Sequence, residues 1–249
     1  MLFNELKKGS CIHFIGIGGV SMSGLAEIAL NMGYKISGSD MNQGEMVDRL
    51  IENGIDVKIG HSKENVHGAD LVVYTAAVKQ DNPELVEVKN LNIKTMERSE
   101  FLGELTKLAD ETIGICGTHG KTTTTSMISI AFINGGKDPY VQVGANLKQL
   151  GGNYRIGNWP YFVIESCEYV DSFLQFHPET AVVLNIEEDH LDYFKDIEAI
   201  KTSFRKLELP DIVNIGYITF DKDETKYPLF TSSEHDAFIY KDGEVLLIK

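Results

Sequence analysis

The sequence predicts an α/β protein built as two successive units: a Rossmann-like unit, then a second α/β unit organised around a P-loop-type phosphate cradle. Three observations predict it. Short apolar runs of strand length alternate with longer amphipathic stretches, the order βαβα that gives a mostly parallel sheet covered by helices. Two glycine-rich turns, at 16–24 and 117–120, each join an apolar run to a helix start. With 249 residues, 43% of them hydrophobic, the chain can bury a core in one large or two modest domains.

The first run, Cys11–Ile15, leads into Gly16-Ile17-Gly18-Gly19-Val20-Ser21-Met22-Ser23-Gly24 and an amphipathic helix expected over 21–32. A strand at 35–39 follows and ends in Asp40, where dinucleotide-binding proteins place a ribose carboxylate. Ser21 occupies the third-glycine position of G-x-G-x-x-G, which argues against an ordinary NAD site and for a pyrophosphate site of another kind. Glycines that merely let a helix pack closely on a strand are the alternative. Helices at 45–53 and 83–88 and a strand at 71–74 complete this unit. A helix over 98–108 runs into the polar stretch Ala109-Asp110-Glu111-Thr112, so the boundary is placed near 108, giving domains 1–108 and 109–249.

The second unit opens with I-G-I-C-G-T-H-G-K-T-T-T-T at 113–125, a strand end, a glycine turn and a helix start. Gly117 and Gly120 let the backbone approach an anion, the amides of the opening helix point at it, Lys121 supplies positive charge and Thr122 offers a hydroxyl to Mg2+. The spacing is not that of a standard Walker A loop, since Ile115 stands where its first glycine belongs. A threonine-rich helix cap is the alternative reading. Lys121 is expected to face solvent when no anion is bound. Strands follow at 140–143, 161–165 and 180–185, then a helix at 197–207. A hairpin is expected at 237–240 and 244–248, with Gly243 supplying its turn.

Two acidic segments directly follow predicted strands, where parallel sheets collect ligands. They are Glu165-Ser166-Cys167-Glu168-Tyr169-Val170-Asp171-Ser172-Phe173 and Asn185-Ile186-Glu187-Glu188-Asp189-His190-Leu191-Asp192. Carboxylates and an imidazole near nucleotide phosphates can hold the Mg2+ that neutralises charge in phosphoryl transfer. A solvated acidic loop and a structural histidine are the plainer alternatives.

A formal net charge of −14 disfavours nucleic acid and anionic membranes as partners. No apolar stretch is long enough to span a bilayer, and the first ten residues lack a signal-peptide core. Three cysteines without C-x-x-C spacing point to a reduced, cytoplasmic chain.

Taken together, G-I-G-G-V-S-M-S-G, S-G-S-D at 37–40, T-A-A-V-K-Q-D-N-P-E at 75–84, G-T-H-G-K-T-T-T, E-S-C-E-Y-V-D-S-F and N-I-E-E-D-H-L-D resemble the Mur ligase family, in the family's order and over about 10–206. The resemblance implies an ATP-dependent carboxylate–amine ligase that joins L-alanine to UDP-N-acetylmuramate through an acyl phosphate, in peptidoglycan precursor synthesis, with ATP and Mg2+ required. It implies that Gly16, Gly18, Gly19, Ser21 and Ser23 cradle the UDP diphosphate, with Asp40 and His61 near the nucleoside. Gly117, Thr118, His119, Gly120, Lys121, Thr122, Thr123 and Asn185 would form the ATP site, with Lys121 on its phosphates. Thr122, Glu168 and His190 would bind magnesium, Lys121, Glu168 and His190 would carry the catalysis, and Asp192 would help organise the site. Cys167 stands where many members carry an acidic residue and is assigned no metal.

Family members also carry a third domain that completes the ATP site and receives the amino acid, and the sequence after Leu207 shows no clear family motif. The central domain is therefore expected to be incomplete, with a missing C-terminal domain or a partner chain to supply the rest, and turnover by this chain alone is left open. A non-catalytic UDP-sugar- or nucleotide-binding module is the competing reading. A dinucleotide oxidoreductase would leave the second phosphate loop unexplained.

Overall fold

A computed structural model describes residues 5–206 in full and, beyond them, the backbone of three strands at 212–215, 237–241 and 244–248. The chain divides into two compact units, Met1–Leu105 and Thr106–Lys249.

Unit 1 is a five-stranded, wholly parallel sheet in the order β3-β2-β1-β4-β5. Its strands are β1 (Cys11–Ile15), β2 (Lys35–Asp40), β3 (Asp56–Ile59), β4 (Leu71–Tyr74) and β5 (Lys94–Glu97). The crossover helices are α1 (Val20–Asn31), α2 (Glu45–Glu52) and α3 (Pro83–Leu91), with α4 (Arg98–Thr106) following β5. Central β1 is buried on both faces because both are covered: Ile12, Phe14 and Ile15 are fully buried, and so is His13 between them. Phe14 meets Phe101 edge to face at 5.6 Å, and each such side chain contributes roughly 1.5–3 kcal/mol by leaving water. The strand order reverses at β1, so the glycine turn that follows it opens into the crevice at the sheet's carboxyl edge.

The sequence missed β3 and β5. Both are edge strands with no buried residue, and their pairing is imposed by β2 and β4 rather than by an apolar run. Helix α3 runs three residues beyond the expected 88. Its start is fixed by Asn82, whose Oδ1 accepts the Glu84 amide at 2.9 Å ahead of Pro83, and its end by Asn92 in the left-handed region at φ +52°.

Unit 2 carries β6 (Glu111–Cys116), α5 (Lys121–Asn134), β7 (Tyr140–Leu147), β8 (Gly152–Arg155), β9 (Tyr161–Glu165), β10 (Thr180–Val183), α6 (Ile197–Phe204), β11 (Ile212–Ile215), β12 (Ala237–Lys241) and β13 (Glu244–Ile248). The sheet order is β13-β12-β11-β10-β6-β9-β7-β8. β11, β10, β6, β9 and β7 run parallel; β8, β12 and β13 are antiparallel to their neighbours. Ile113, Ile115, Val163 and Leu184 form the core beneath Ile128 and Phe132 of α5.

Helix α4 stops at Thr106 rather than 108, and part of the expected polar connector is strand. Thr112 is fully buried, its hydroxyl donating to the Thr106 carbonyl at 2.9 Å and its amide to Glu179 at 2.6 Å. β10 ends at Val183, not 185, because Leu184 and Asn185 turn toward the phosphate-type loop. Helix α6, capped by Asp196 on the Ala199 amide, is shorter than 197–207. The sequence missed β8 and β11. Strands β12 and β13 pair antiparallel as expected, while the proposed turn residue Gly243 lies outside the described residues. No described helix is long and apolar enough to cross a membrane.

Candidate functional site

In unit 2 the chain leaves β6 at Cys116 and enters α5 at Lys121 through Gly117-Thr118-His119-Gly120. Gly117 has φ +121°, and a Cβ there would stand 2.8 Å from the Asn185 carbonyl oxygen and 2.9 Å from its amide nitrogen. Both atoms are backbone and cannot swing aside, so only glycine fits. The loop is held from the end of β10. The Thr118 amide donates to the Asn185 carbonyl at 3.0 Å, and the Asn185 side chain accepts from the His119 amide at 2.8 Å while donating to the His119 carbonyl at 2.9 Å. Thr118 Oγ1 in turn accepts the Glu187 amide at 2.8 Å. Helix α5 starts at Gly120 with no side-chain cap, so its amino end is left to the helix dipole and to whatever anion meets it.

Lys121 does not face solvent as expected. Its side chain is 12% exposed, and Nζ donates to the Gly117 carbonyl at 2.6 Å, the Thr118 carbonyl at 3.1 Å and both oxygens of Glu168 at 3.0 and 3.2 Å. Glu168 is itself 2% exposed, and a buried carboxylate requires such a partner. The sequence could not show that the lysine folds back, because its acceptors come from its own loop and from a residue 47 positions away.

Thr122 contacts a carboxylate other than Glu168. Its hydroxyl donates to Glu165 Oε1 at 3.1 Å, while Glu165 Oε2 accepts the Gly144 amide at 2.6 Å. Glu165 is thus a site residue that the assigned set omitted; its position as the last residue of β9 was the available signal. Thr123 lies on the exposed face of α5, and His119 is exposed, with Nε2 3.8 Å from Glu187. His190 sits in the left-handed region at φ +51°, its ring 4.6 Å from that of Tyr169. Tyr169 donates to Asp192 at 2.7 Å. Val170 and Asp171 adjoin Tyr169 and are also left-handed, both at φ +56°, a conformation that costs a residue with a Cβ about 1–3 kcal/mol.

Among the described residues no three His, Cys, Asp or Glu side chains gather as a metal cage. Mg2+ in phosphate sites is usually held by one or two protein oxygens, with phosphates and waters completing the shell. The Thr122 hydroxyl and Glu165 carboxylate are hard oxygens of that kind, side by side at the start of α5. Glu168 is already committed to a cation. Burial pushes the Cys116 thiol up to about 12 and also raises Cys167, so neither thiol is poised as a nucleophile.

In unit 1 the glycine turn is held by the end of β2. The Gly16 and Ile17 amides donate to the Ser39 carbonyl at 2.8 and 3.0 Å, and the Gly18 amide donates to Asp40 Oδ2 at 2.9 Å. Asp40 Oδ1 accepts the Asn42 amide at 3.0 Å. Gly18, Gly19, Asp40 and the segment 42–47 line an open cleft of about 500 Å³. A Cβ at Gly18 would come within 2.8 Å of Val47 and 2.9 Å of Asp40, so this glycine serves packing as well as access. Ser21 Oγ is reached by Arg98 at 3.3 Å. Ser23 is fully buried and donates to the Val20 carbonyl at 3.0 Å, which places its hydroxyl inside the turn. His61 lies beyond β3, with Nδ1 3.0 Å from the Ser39 hydroxyl.

Two family descriptions match the chain: "Mur ligase family, catalytic domain" over residues 11–109 and "Mur ligase middle domain" over 115–223. The chain belongs to the Mur ligase family. It is 58% identical over 213 residues to a UDP-N-acetylmuramate–L-alanine ligase of Acetivibrio thermocellus, covering 86% of this chain and 45% of the relative. To the ligase of that name from Clostridium botulinum it is 53% identical over 242 residues, or 96% and 53% of the two chains. The chain spans about half the length of the curated relatives it matches.

Solved Mur ligase structures share the architecture. A UDP-N-acetylmuramate-alanine ligase of Thermotoga maritima superposes with a TM-score of 0.71 at 32% identity, over 79% of this chain and 46% of that one. A UDP-N-acetylmuramate:L-alanyl-gamma-D-glutamyl-meso-diaminopimelate ligase of Neisseria meningitidis gives 0.76 at 28% identity, over 95% and 85%.

Proposed function

We propose that this chain supplies the UDP-N-acetylmuramate- and MgATP-binding parts of an ATP-dependent ligase that joins L-alanine to UDP-N-acetylmuramate in peptidoglycan precursor synthesis, in the cytoplasm. Residues 1–108 are assigned to the UDP-sugar and 109–249 to part of the ATP-binding domain. One observation carries the reading: Lys121 stands beneath an uncapped helix start, with its ammonium held by the carbonyls of the loop that would wrap the phosphates. The family membership and the two relatives' shared name support the choice of substrates.

In this reading the lactyl carboxylate attacks the γ-phosphorus of ATP, ADP leaves, and the resulting acyl phosphate is attacked at its carbonyl carbon by the amine of L-alanine, releasing phosphate. The protein's work is positioning and charge stabilisation. Gly117 and Gly120 shape the cradle, Thr118, His119 and Asn185 hold its conformation, and Lys121 trades its carbonyl contacts for phosphate oxygens while Glu168 keeps it aimed. Thr122 and Glu165 would hold Mg2+, which would supply neutralisation of charge on the phosphoryl oxygens, with His190 assigned to a second magnesium or its water shell. In unit 1, Gly16, Gly18, Gly19 and Ser21 shape the diphosphate site, and Asp40 fixes the turn while facing the same cleft.

Calorimetry of the chain with UDP-N-acetylmuramate and with MgATP, followed by ATP-dependent phosphate release with L-alanine added, tests the proposal. Both ligands are expected to bind. A folded chain that binds neither would sink it, and binding without alanine-dependent product would restrict this chain to a nucleotide-binding role.

A further inference from the structure

The two acidic segments of unit 2 are joined by a reciprocal pair of hydrogen bonds that the phosphate-type loop does not itself require. Tyr169, in the segment after β9, donates its hydroxyl to Asp192 Oδ2 at 2.7 Å, and Tyr193, in the segment after β10, donates back to Asp171 Oδ2 at 3.0 Å. Each segment thus gives one phenol and one carboxylate. The two tyrosine rings meet edge to face with centroids 6.2 Å apart, and the Tyr169 ring also lies 4.6 Å from that of His190. Asp171 Oδ1 accepts the Ser203 hydroxyl, which ties the pair to α6.

These contacts account for a backbone that would otherwise relax. Val170, Asp171 and His190 all lie in the left-handed region, and for a β-branched residue such as Val170 that conformation is an outlier. Apolar burial does not hold it there, since Val170 is 49% exposed. The turn is fixed by the residues on either side of the valine: Tyr169 is anchored at Asp192, and Asp171 at Tyr193 and Ser203. In the other segment the His190 carbonyl accepts the Tyr193 and Phe194 amides, both at 2.9 Å, so the histidine and the returning tyrosine share one turn. The residue before Tyr169 is Glu168, the carboxylate that grips Lys121. The pair therefore reaches the lysine of the phosphate-type loop through a single peptide unit.

We propose that Tyr169 and Tyr193 are positioning residues of unit 2, a two-bond clasp that fixes the strained turns and so holds Glu168 against Lys121 and the His190 ring against Tyr169 in one frame. The inference rests on the nucleotide-binding reading of unit 2. Neither tyrosine contacts a reacting group in this reading; each acts through its neighbour. A clasp of this kind works as a unit. Losing one bond frees both segments, so losing the second adds little, whereas two tyrosines that only cover surface would act separately.

Hydrogen exchange of the ligand-free full chain, read by mass spectrometry on peptides covering 165–175 and 185–194, tests the clasp first. Tyr169→Phe keeps the ring beside His190 and removes the donor; it is expected to speed exchange in both segments, and Tyr193→Phe to do the same. Loosening confined to each variant's own segment would overturn the proposal. Calorimetry with MgATP then reads the consequence. Each single variant is expected to bind about two- to tenfold more weakly, the usual worth of one hydrogen bond, and the double variant Tyr169→Phe/Tyr193→Phe no more weakly than the poorer single one. Asp192→Ala removes the acceptor of Tyr169, is expected to reproduce Tyr169→Phe, and serves where that variant does not fold. Losses that multiply in the double variant, or unchanged affinity in both single ones, would refute the clasp. A wild-type chain that binds no MgATP, while its variants show the reciprocal loosening, would remove the nucleotide reading of unit 2 and the positioning role with it.

Discussion

The two glycine turns share a scaffold and differ in charge. Each follows the middle strand of a run of parallel strands, starts a helix without a side-chain cap, and is pinned by the neighbouring strand's end. In unit 1 the pins are the Ser39 carbonyl and the Asp40 carboxylate, acceptors that engage the turn's amides. In unit 2 an amide side chain, Asn185, engages both an N–H and a C=O of the loop, and a lysine sits beneath it. The contrast teaches that a glycine turn specifies a shape, while its charge is set by residues distant in sequence. An acidic pin suits a ligand gripped through its nucleoside as well as its diphosphate; a lysine suits a phosphoryl group on which charge builds up.

The largest effect should come from breaking the cation of unit 2. Lys121→Ala is expected to abolish measurable MgATP binding and also to destabilise the fold by about 3–5 kcal/mol, because Glu168 is left buried and unpaired. The double variant Lys121→Ala/Glu168→Gln should regain much of the stability and none of the binding. Thermal melts and calorimetry on both variants check this. If the double variant bound MgATP normally, the loop would not be a phosphate site.

Next in size is the shape itself. Gly117→Ala must adopt φ +121° and push its Cβ into the Asn185 backbone, so a loss of about 2–4 kcal/mol is expected by chemical denaturation. Gly18→Ala meets the movable side chains of Val47 and Asp40 and should cost less, on the order of 1–3 kcal/mol. Equal costs would show that the two turns are pinned alike and would undo the comparison.

The sequence made the turns legible because glycine, lysine and threonine at a strand-to-helix junction are chemical requirements of local shape and charge. The buried parallel strands were legible for a similar reason: Ile12, Phe14 and Ile15 crowd three large apolar side chains into four positions. The edge strands β3, β5 and β8 were not, since their hydrogen bonds are made to a neighbour and leave little apolar signature. The same holds for the site. Lys121 was visible, but its burial against Glu168 was not, and Glu165 was hidden beside a more obvious acidic partner three residues on.

A smaller effect concerns the Thr122–Glu165 pair of unit 2. Thr122→Ala and Glu165→Gln should each weaken nucleotide binding in the presence of Mg2+ by about 1.5–3 kcal/mol, a charged hydrogen bond's worth, and change metal-free binding little. Calorimetry with and without chelator reads the difference. Equal losses in both conditions would count against magnesium at this pair and return attention to Glu168 and His190.

The smallest effect concerns the acid limb of stability, and it belongs to unit 1. Burial alone would raise the Glu84 carboxyl, but hydrogen bonds from Ser39 and Asn65 and the His13 imidazole 3.7 Å away outweigh it, and the group is held below its ordinary value of 4.5. A carboxyl whose value is lowered by folding binds protons less well in the folded state than in the unfolded chain. Its contribution is therefore complete above the ordinary value and is lost as pH falls through the lowered one. Glu84→Gln removes that titration. The variant should melt at a lower temperature than wild type at neutral pH, and the gap should narrow as pH is taken below about 4.5, through the ordinary carboxyl range. Melting curves that stay parallel down the acid limb would mean that Glu84 is not held as an anion by Ser39, Asn65 and His13.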